Sequence, residues 1–87
     1  MRYSVELSKE AADDTDALYR SDRKLFHRII KKIESLEGSP YEGKPLVANH
    51  KGEFSLRVGK YGIVYEMDSY NHILYVLTVK HRRHSYR

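Results

Sequence analysis

The sequence predicts an α+β fold: an N-terminal strand, an antiparallel helical hairpin, then a three-strand antiparallel meander, in one domain spanning residues 1–87. Three observations lead there. The opening residues alternate apolar and polar with a period of two; residues 8–36 change to intervals of three and four; from Glu53 onward the period returns to two. Two helices laid on one face of an antiparallel sheet satisfy the layer rule for that order of elements.

Tyr3, Val5 and Leu7 alternate with Ser4 and Glu6, as in a half-buried strand. Ser8 then reads as a helix cap before Lys9 to Tyr19, with acids in the early turns and a thin apolar stripe of Ala11, Ala12, Thr15, Leu18 and Tyr19. A second helix is capped by Ser21 or Asp22. Its apolar face is Leu25, Phe26, Ile29, Ile30, Ile33 and Leu36, and Arg28, Lys31 and Lys32 form its wet face. The short connection around Arg20 packs the two as a hairpin. Gly38 reads as the stop, and Ser39 to Pro45 as a loop.

In the meander, Phe54, Leu56 and Val58 face one way and Ser55 and Arg57 the other. Gly59-Lys60 makes a tight turn of the type II′ kind, with glycine first. The return strand sets Tyr61, Ile63, Tyr65 and Met67 against Gly62, Val64 and Glu66. A turn at Asp68 to Asn71 leads into His72 to Lys80, whose centre is apolar on both faces and therefore belongs inside the sheet.

The chain has no cysteine, so neither a disulfide framework nor a thiolate metal site contributes to stability. The N-terminus lacks the continuous apolar run of a signal peptide, and no stretch reaches membrane-spanning length; a cytoplasmic location without membrane contact is expected. No histidine pair sits at helical ligand spacing with a carboxylate, and no metal is expected. Up to His50, basic and acidic residues balance at nine each. From Lys51 on, seven basic residues face three acids, so the formal charge of +4 lies in the second half. The closing stretch Lys80-His81-Arg82-Arg83-His84-Ser85-Tyr86-Arg87 carries no acid, the footprint of a surface that meets phosphates.

Two stretches point to a family. Phe54-Ser55-Leu56-Arg57-Val58-Gly59-Lys60-Tyr61-Gly62-Ile63-Val64-Tyr65-Glu66 resembles the arginine-glycine-tyrosine hairpin of RelE/ParE toxins. Val79 to Arg87 resembles their closing histidine-arginine-tyrosine stretch. With the helix pair upstream and Gly43-Lys44-Pro45-Leu46 before the sheet, the resemblance spans essentially the whole chain and implies the RelE-like microbial RNase fold.

For the RelE branch the resemblance implies a toxin that cleaves messenger RNA in the ribosomal A site, without metal or cofactor, by attack of a 2′-hydroxyl on the adjacent phosphate. A base, a cationic clamp for the phosphate and an acid for the leaving oxygen are then needed. Matched by position, Arg57, Arg82 and Tyr86 are the catalytic candidates, joined by His81, whose side chain titrates nearest neutrality. Lys51, Lys60, Lys80, Arg83, His84 and Arg87 are the RNA-binding candidates. The general base stays open among these groups. Many relatives have arginine where this chain has Gly62, and a basic residue where it has Ser55.

The implied partners are the ribosome with its message and a cognate antitoxin, a helical segment forming a toxin-antitoxin hetero-oligomer over the basic face and the thin first helix. The ParE branch implies something different: a non-enzymatic inhibitor of DNA gyrase. A catalytically impaired RNA- or protein-binding module on the same scaffold is a third reading.

Overall fold

Ser8 decides where the first helix begins. In the computed structural model, which describes residues 2–46 and 52–85 with side chains up to residue 83, Ser8 Oγ accepts from Ala11 N at 2.9 Å and donates to Leu77 O at 2.7 Å. One hydroxyl thus caps the helix and ties it to a strand. The chain runs β1 (Ser4–Leu7), α1 (Lys9–Ser21), α2 (Arg23–Ser35), β2 (Lys44–Pro45), β3 (Glu53–Val58), β4 (Tyr61–Asp68), β5 (Ile73–His81) and α3 (Arg82–Ser85).

The helical hairpin forms as expected, with Asp22 as its hinge. Asp22 N donates to Leu18 O at 2.8 Å to close α1, and its carboxylate accepts from Leu25 N at 3.1 Å to open α2. Ala11, Thr15 and Leu18 are the buried positions of α1, while Tyr19 stays exposed. The second helix stops at Ser35, short of Gly38. Bonds from Leu36, Glu37 and Gly38 to the carbonyls three residues earlier tighten its last turn.

The sheet has five strands in the order β1-β5-β4-β3-β2. Two features depart from the expectation. The first is that β1 runs parallel to β5, in register from Ser4 with Ile73 to Leu7 with Val76. No tight turn joins these strands, so none forces them antiparallel. The second is that the expected loop before the meander ends in the short edge strand β2, which pairs Lys44 with Ser55 and Pro45 with Phe54. An edge is where a strand proline is tolerated.

Tyr65 holds that edge in place. Fully buried, it donates from Oη to Pro40 O at 2.8 Å and accepts from Gly43 N at 2.9 Å. A Cβ on Gly43 would sit 2.7 Å from that same oxygen, so glycine is required there. Burial pushes the Tyr65 hydroxyl pKa up, partly opposed by the Gly43 hydrogen bond.

The core lies between the helices and one sheet face. Ile29, Ile33 and Leu36 from the α2 region pack with Ile63, Tyr65, Leu74, Val76 and Val79, all at most 3% exposed. In β5 the ladder shifts register opposite Val64 and Tyr65, leaving Leu77 as an inserted residue. Among the described residues no strand covers the outer edge of β5 beyond Val76, and α1 takes that place. Ser8 N donates to Val76 O at 2.9 Å, and the Asp14 carboxylate accepts from Val79 N at 2.9 Å.

Candidate functional site

The β3-β4 turn and the exit of β5 come together at one end of the sheet. Gly59 takes φ 59° while Lys60 stays outside the left-handed region, which fits the type II′ turn. The turn is fixed to the chain end by Arg82 N, which donates to Lys60 O at 2.6 Å. Beside it, Tyr61 and His81 are register partners whose rings meet edge to face, with centroids 5.6 Å apart.

His81 is further oriented by α3, since Arg83 N donates to its Nδ1 at 3.3 Å. This contact turns the Nδ1 edge of the ring toward α3.

The second helix faces this end of the sheet across a groove with two halves. One, of about 480 Å³, is lined by Arg28, Lys31, Lys32, Ser35, Arg57, Val58 and Gly59. The other, of about 490 Å³, is lined by Asp22, Lys24, Leu25, Arg28, Gly59, Lys60, Tyr61 and His81. Arg28 and Gly59 belong to both. Among the described residues Lys24, Arg28, Lys31, Arg57 and Lys60 form no ion pair, whereas Lys32 pairs with Glu42 and Lys9 with Asp13. Five cations without an ion pair, against Asp22 in the same lining, give the trough a positive potential that an anionic chain would neutralise.

The structure therefore brings Arg57, Lys60 and His81 together on one groove, with Arg82 and Arg83 following at its end in exposed positions. Lys80 goes elsewhere. Its ammonium donates to Asp14 at 2.8 Å and pairs with Glu10 at 3.1 Å, and the Asp14 hydrogen bond leads the contributions that raise its pKa. Lys80 thus joins β5 to α1 and does not line the groove. Lys51, Tyr86 and Arg87 lie outside the described residues, as does the side chain of His84.

Sequence reading missed the contribution of α2, where Arg28, Lys31 and Lys32 count only as a wet face and Lys24 goes unremarked. A signal existed: Lys24, Arg28 and Lys31 stand at intervals of four and three, so they share one stripe. That the hairpin lies opposite this stripe is a tertiary fact. Among the described residues no cluster of histidines and acids suits a metal ion, and no helix is long and apolar enough to cross a membrane.

A strand, a helical hairpin and a meander whose basic end faces α2 make up the α+β fold that the RelE/ParE resemblance implies, and comparison with known proteins agrees. Residues 5–86 match the family model of the ParE toxin of type II toxin-antitoxin systems. Among solved structures, the RelBE2 toxin-antitoxin complex of Mycobacterium tuberculosis superposes with a TM-score of 0.84 at 27% identity, covering 94% of this chain and 100% of that one. A mutant of the Escherichia coli toxin RelE in its free state gives 0.79 at 16% identity, covering 98% of this chain and 88% of that one. The chromosomal ParDE toxin-antitoxin system of Pseudomonas aeruginosa gives 0.74 at 15%, covering 92% and 96%. No curated protein matches the sequence. The chain belongs to the ParE toxin family, within the RelE/ParE superfamily, and is a toxin of the type II toxin-antitoxin class.

Proposed function

We propose that this toxin binds messenger RNA in the groove between α2 and the β3-β4 hairpin and cuts it in the ribosomal A site. The observation that carries this reading is the groove itself, in which Lys24, Arg28 and Lys60 share one half with His81 and Lys31 and Arg57 line the other, none of the five in an ion pair among the described residues. Such a trough suits the phosphates of a single strand, and Tyr61 and the neighbouring Leu25 give a base something to lie against.

In the proposed reaction the 2′-oxygen loses its proton to a base and bonds to the adjacent phosphorus. The bond from phosphorus to the 5′-oxygen breaks, and that oxygen takes up one proton. The products are a 2′,3′-cyclic phosphate and a 5′-hydroxyl, and no net proton is consumed. The guanidiniums of Arg57 and Arg82 serve the charge that builds on the phosphoryl oxygens. His81, which lines the groove, serves as a hydrogen-bond donor to a phosphoryl oxygen, and the proton that the 5′-oxygen takes up is the one the base received. Tyr86 remains a candidate for stacking or proton transfer, and no cofactor is invoked.

The whole chain acts as one toxin domain, held in the cell by a cognate antitoxin in a hetero-oligomer. Support comes from the family match and from the M. tuberculosis relative, which was solved as such a complex. Tyr19 and Leu7, at 42% and 40% exposure, supply apolar surface for that partner beside α1 and β1.

The match to the ParE family model favours a second reading, inhibition of DNA gyrase without catalysis. Induced expression without antitoxin separates the two. Translation arrest with newly cut messages supports the nuclease; filamentous cells with DNA-damage signalling and intact messages support the gyrase inhibitor and would overturn the first reading.

A further inference from the structure

The groove's two halves meet at Arg28 and Gly59, and glycine contributes no side chain, so among the described residues Arg28 is the one side chain common to both. Its position is fixed from behind. Ile29 and Ile33, at 0% and 3% exposure, lock the rotation of α2 against the core, which turns Arg28 outward in line with Lys24 and Lys31. No carboxylate among the described residues pairs with it. Asp22, the one acid lining the groove among the described residues, already caps α2 through Leu25 N. On the sheet side, the register partner of Arg57 is Gly62, so that strand pair presents one cation and not two.

We propose that Arg28 is a phosphate-binding residue of the reaction, gripping the phosphoryl oxygens of the RNA strand across the groove from His81. The clamp is then supplied by α2 as well as by the sheet. A guanidinium suits the place because its planar fork binds two oxygens of one phosphate and stays charged, whereas the lysines on either side act as point charges. Arg28 transfers no proton and forms no covalent bond. It stabilises negative charge as the 2′-oxygen bonds to phosphorus and the 5′-oxygen departs. The assignment rests on the nuclease reading of the groove.

The test uses full-length toxin on programmed ribosomes, with Arg28→Ala, Arg28→Lys and Lys9→Ala compared with the unaltered protein. Lys9→Ala removes the same charge from an exposed site on the other helix. Cleavage rate at saturating toxin and the half-saturating concentration are measured separately, beside the thermal midpoint. Arg28→Ala should lower the saturating rate about 10²-fold, as loss of one donor to a developing oxyanion does, with an unchanged midpoint. Arg28→Lys should recover part of that rate, and Lys9→Ala should change it less than about threefold on the same scale. Arg28→Ala that cuts like Lys9→Ala, or that raises only the half-saturating concentration, overturns the assignment alone. Unaltered toxin that cuts nothing overturns the nuclease reading, and the assignment with it.

Discussion

Asp14 on α1 holds the strand that carries His81, so its removal should loosen both the fold and the site. One oxygen accepts from Val79 N at 2.9 Å, the other from Lys80 Nζ at 2.8 Å, and the side chain is 14% exposed. Asp14→Ala strips an edge-strand N–H of a charged acceptor, worth about 1.5–3 kcal/mol. The ion pair adds less. Lys80 is 29% exposed and keeps Glu10 at 3.1 Å, so about 0.5 kcal/mol is reasonable after solvent screening. Water reaching the freed N–H recovers part of the total. A net loss of about 2 kcal/mol follows, equivalent to a fall in melting temperature of roughly 8–16 °C for a domain of this size. Asp14→Asn keeps an acceptor for Val79 N but gives up the charge, and should lose about half as much. Urea unfolding followed by circular dichroism measures both variants. A loss below about 0.5 kcal/mol for Asp14→Ala would show that α1 does not act as the cover for the β5 edge.

Three further outcomes are expected. Tyr65→Phe leaves Gly43 N and Pro40 O without their buried partner and should cost about 1–3 kcal/mol in urea unfolding. Gly43→Ala should destabilise by a similar 1–3 kcal/mol, because its Cβ would lie 2.7 Å from Tyr65 Oη and 2.9 Å from Ser55 O; a neutral result would mean that β2 moves freely. Lys80 has a folded pKa raised chiefly by the Asp14 hydrogen bond, so its stabilising contribution is complete below the ordinary lysine value and is lost as pH rises through the folded value. The difference in unfolding free energy between the unaltered protein and Lys80→Met should thus stay constant through neutral pH and shrink only at strongly alkaline pH.

Period and capping made most of the fold legible. Ser8, Asp22 and the Gly59-Lys60 turn do in the structure what their residue types suggest. Local signals do not reach the features that depend on distant partners. Lys44 and Pro45 read as loop because proline rarely joins a ladder, and only Tyr65, reaching back to Pro40 and Gly43, brings them to β3. The direction of β1 relative to β5 follows from the whole path of the chain between them.

The site divides the same way. The basic character of the second half was visible, and so was His81 beside the hairpin end. In sequence Lys80 reads as one more basic residue of the closing stretch, and nothing local says that Glu10 and Asp14, one helical turn apart on α1, meet it from across the fold. The stripe of Lys24, Arg28 and Lys31 looked like solvated surface because nothing nearby in sequence says that it faces Lys60 and His81.

The central claim is that the basic groove serves cutting of ribosome-bound message. Primer-extension mapping of a defined message on programmed ribosomes tests it most directly, with purified toxin beside an Arg82→Ala control. New cuts confined to the A site, weakened about 10²-fold or more in the control, are the expected result. An uncut message at high toxin concentration, or cuts undiminished by Arg82→Ala, would contradict it.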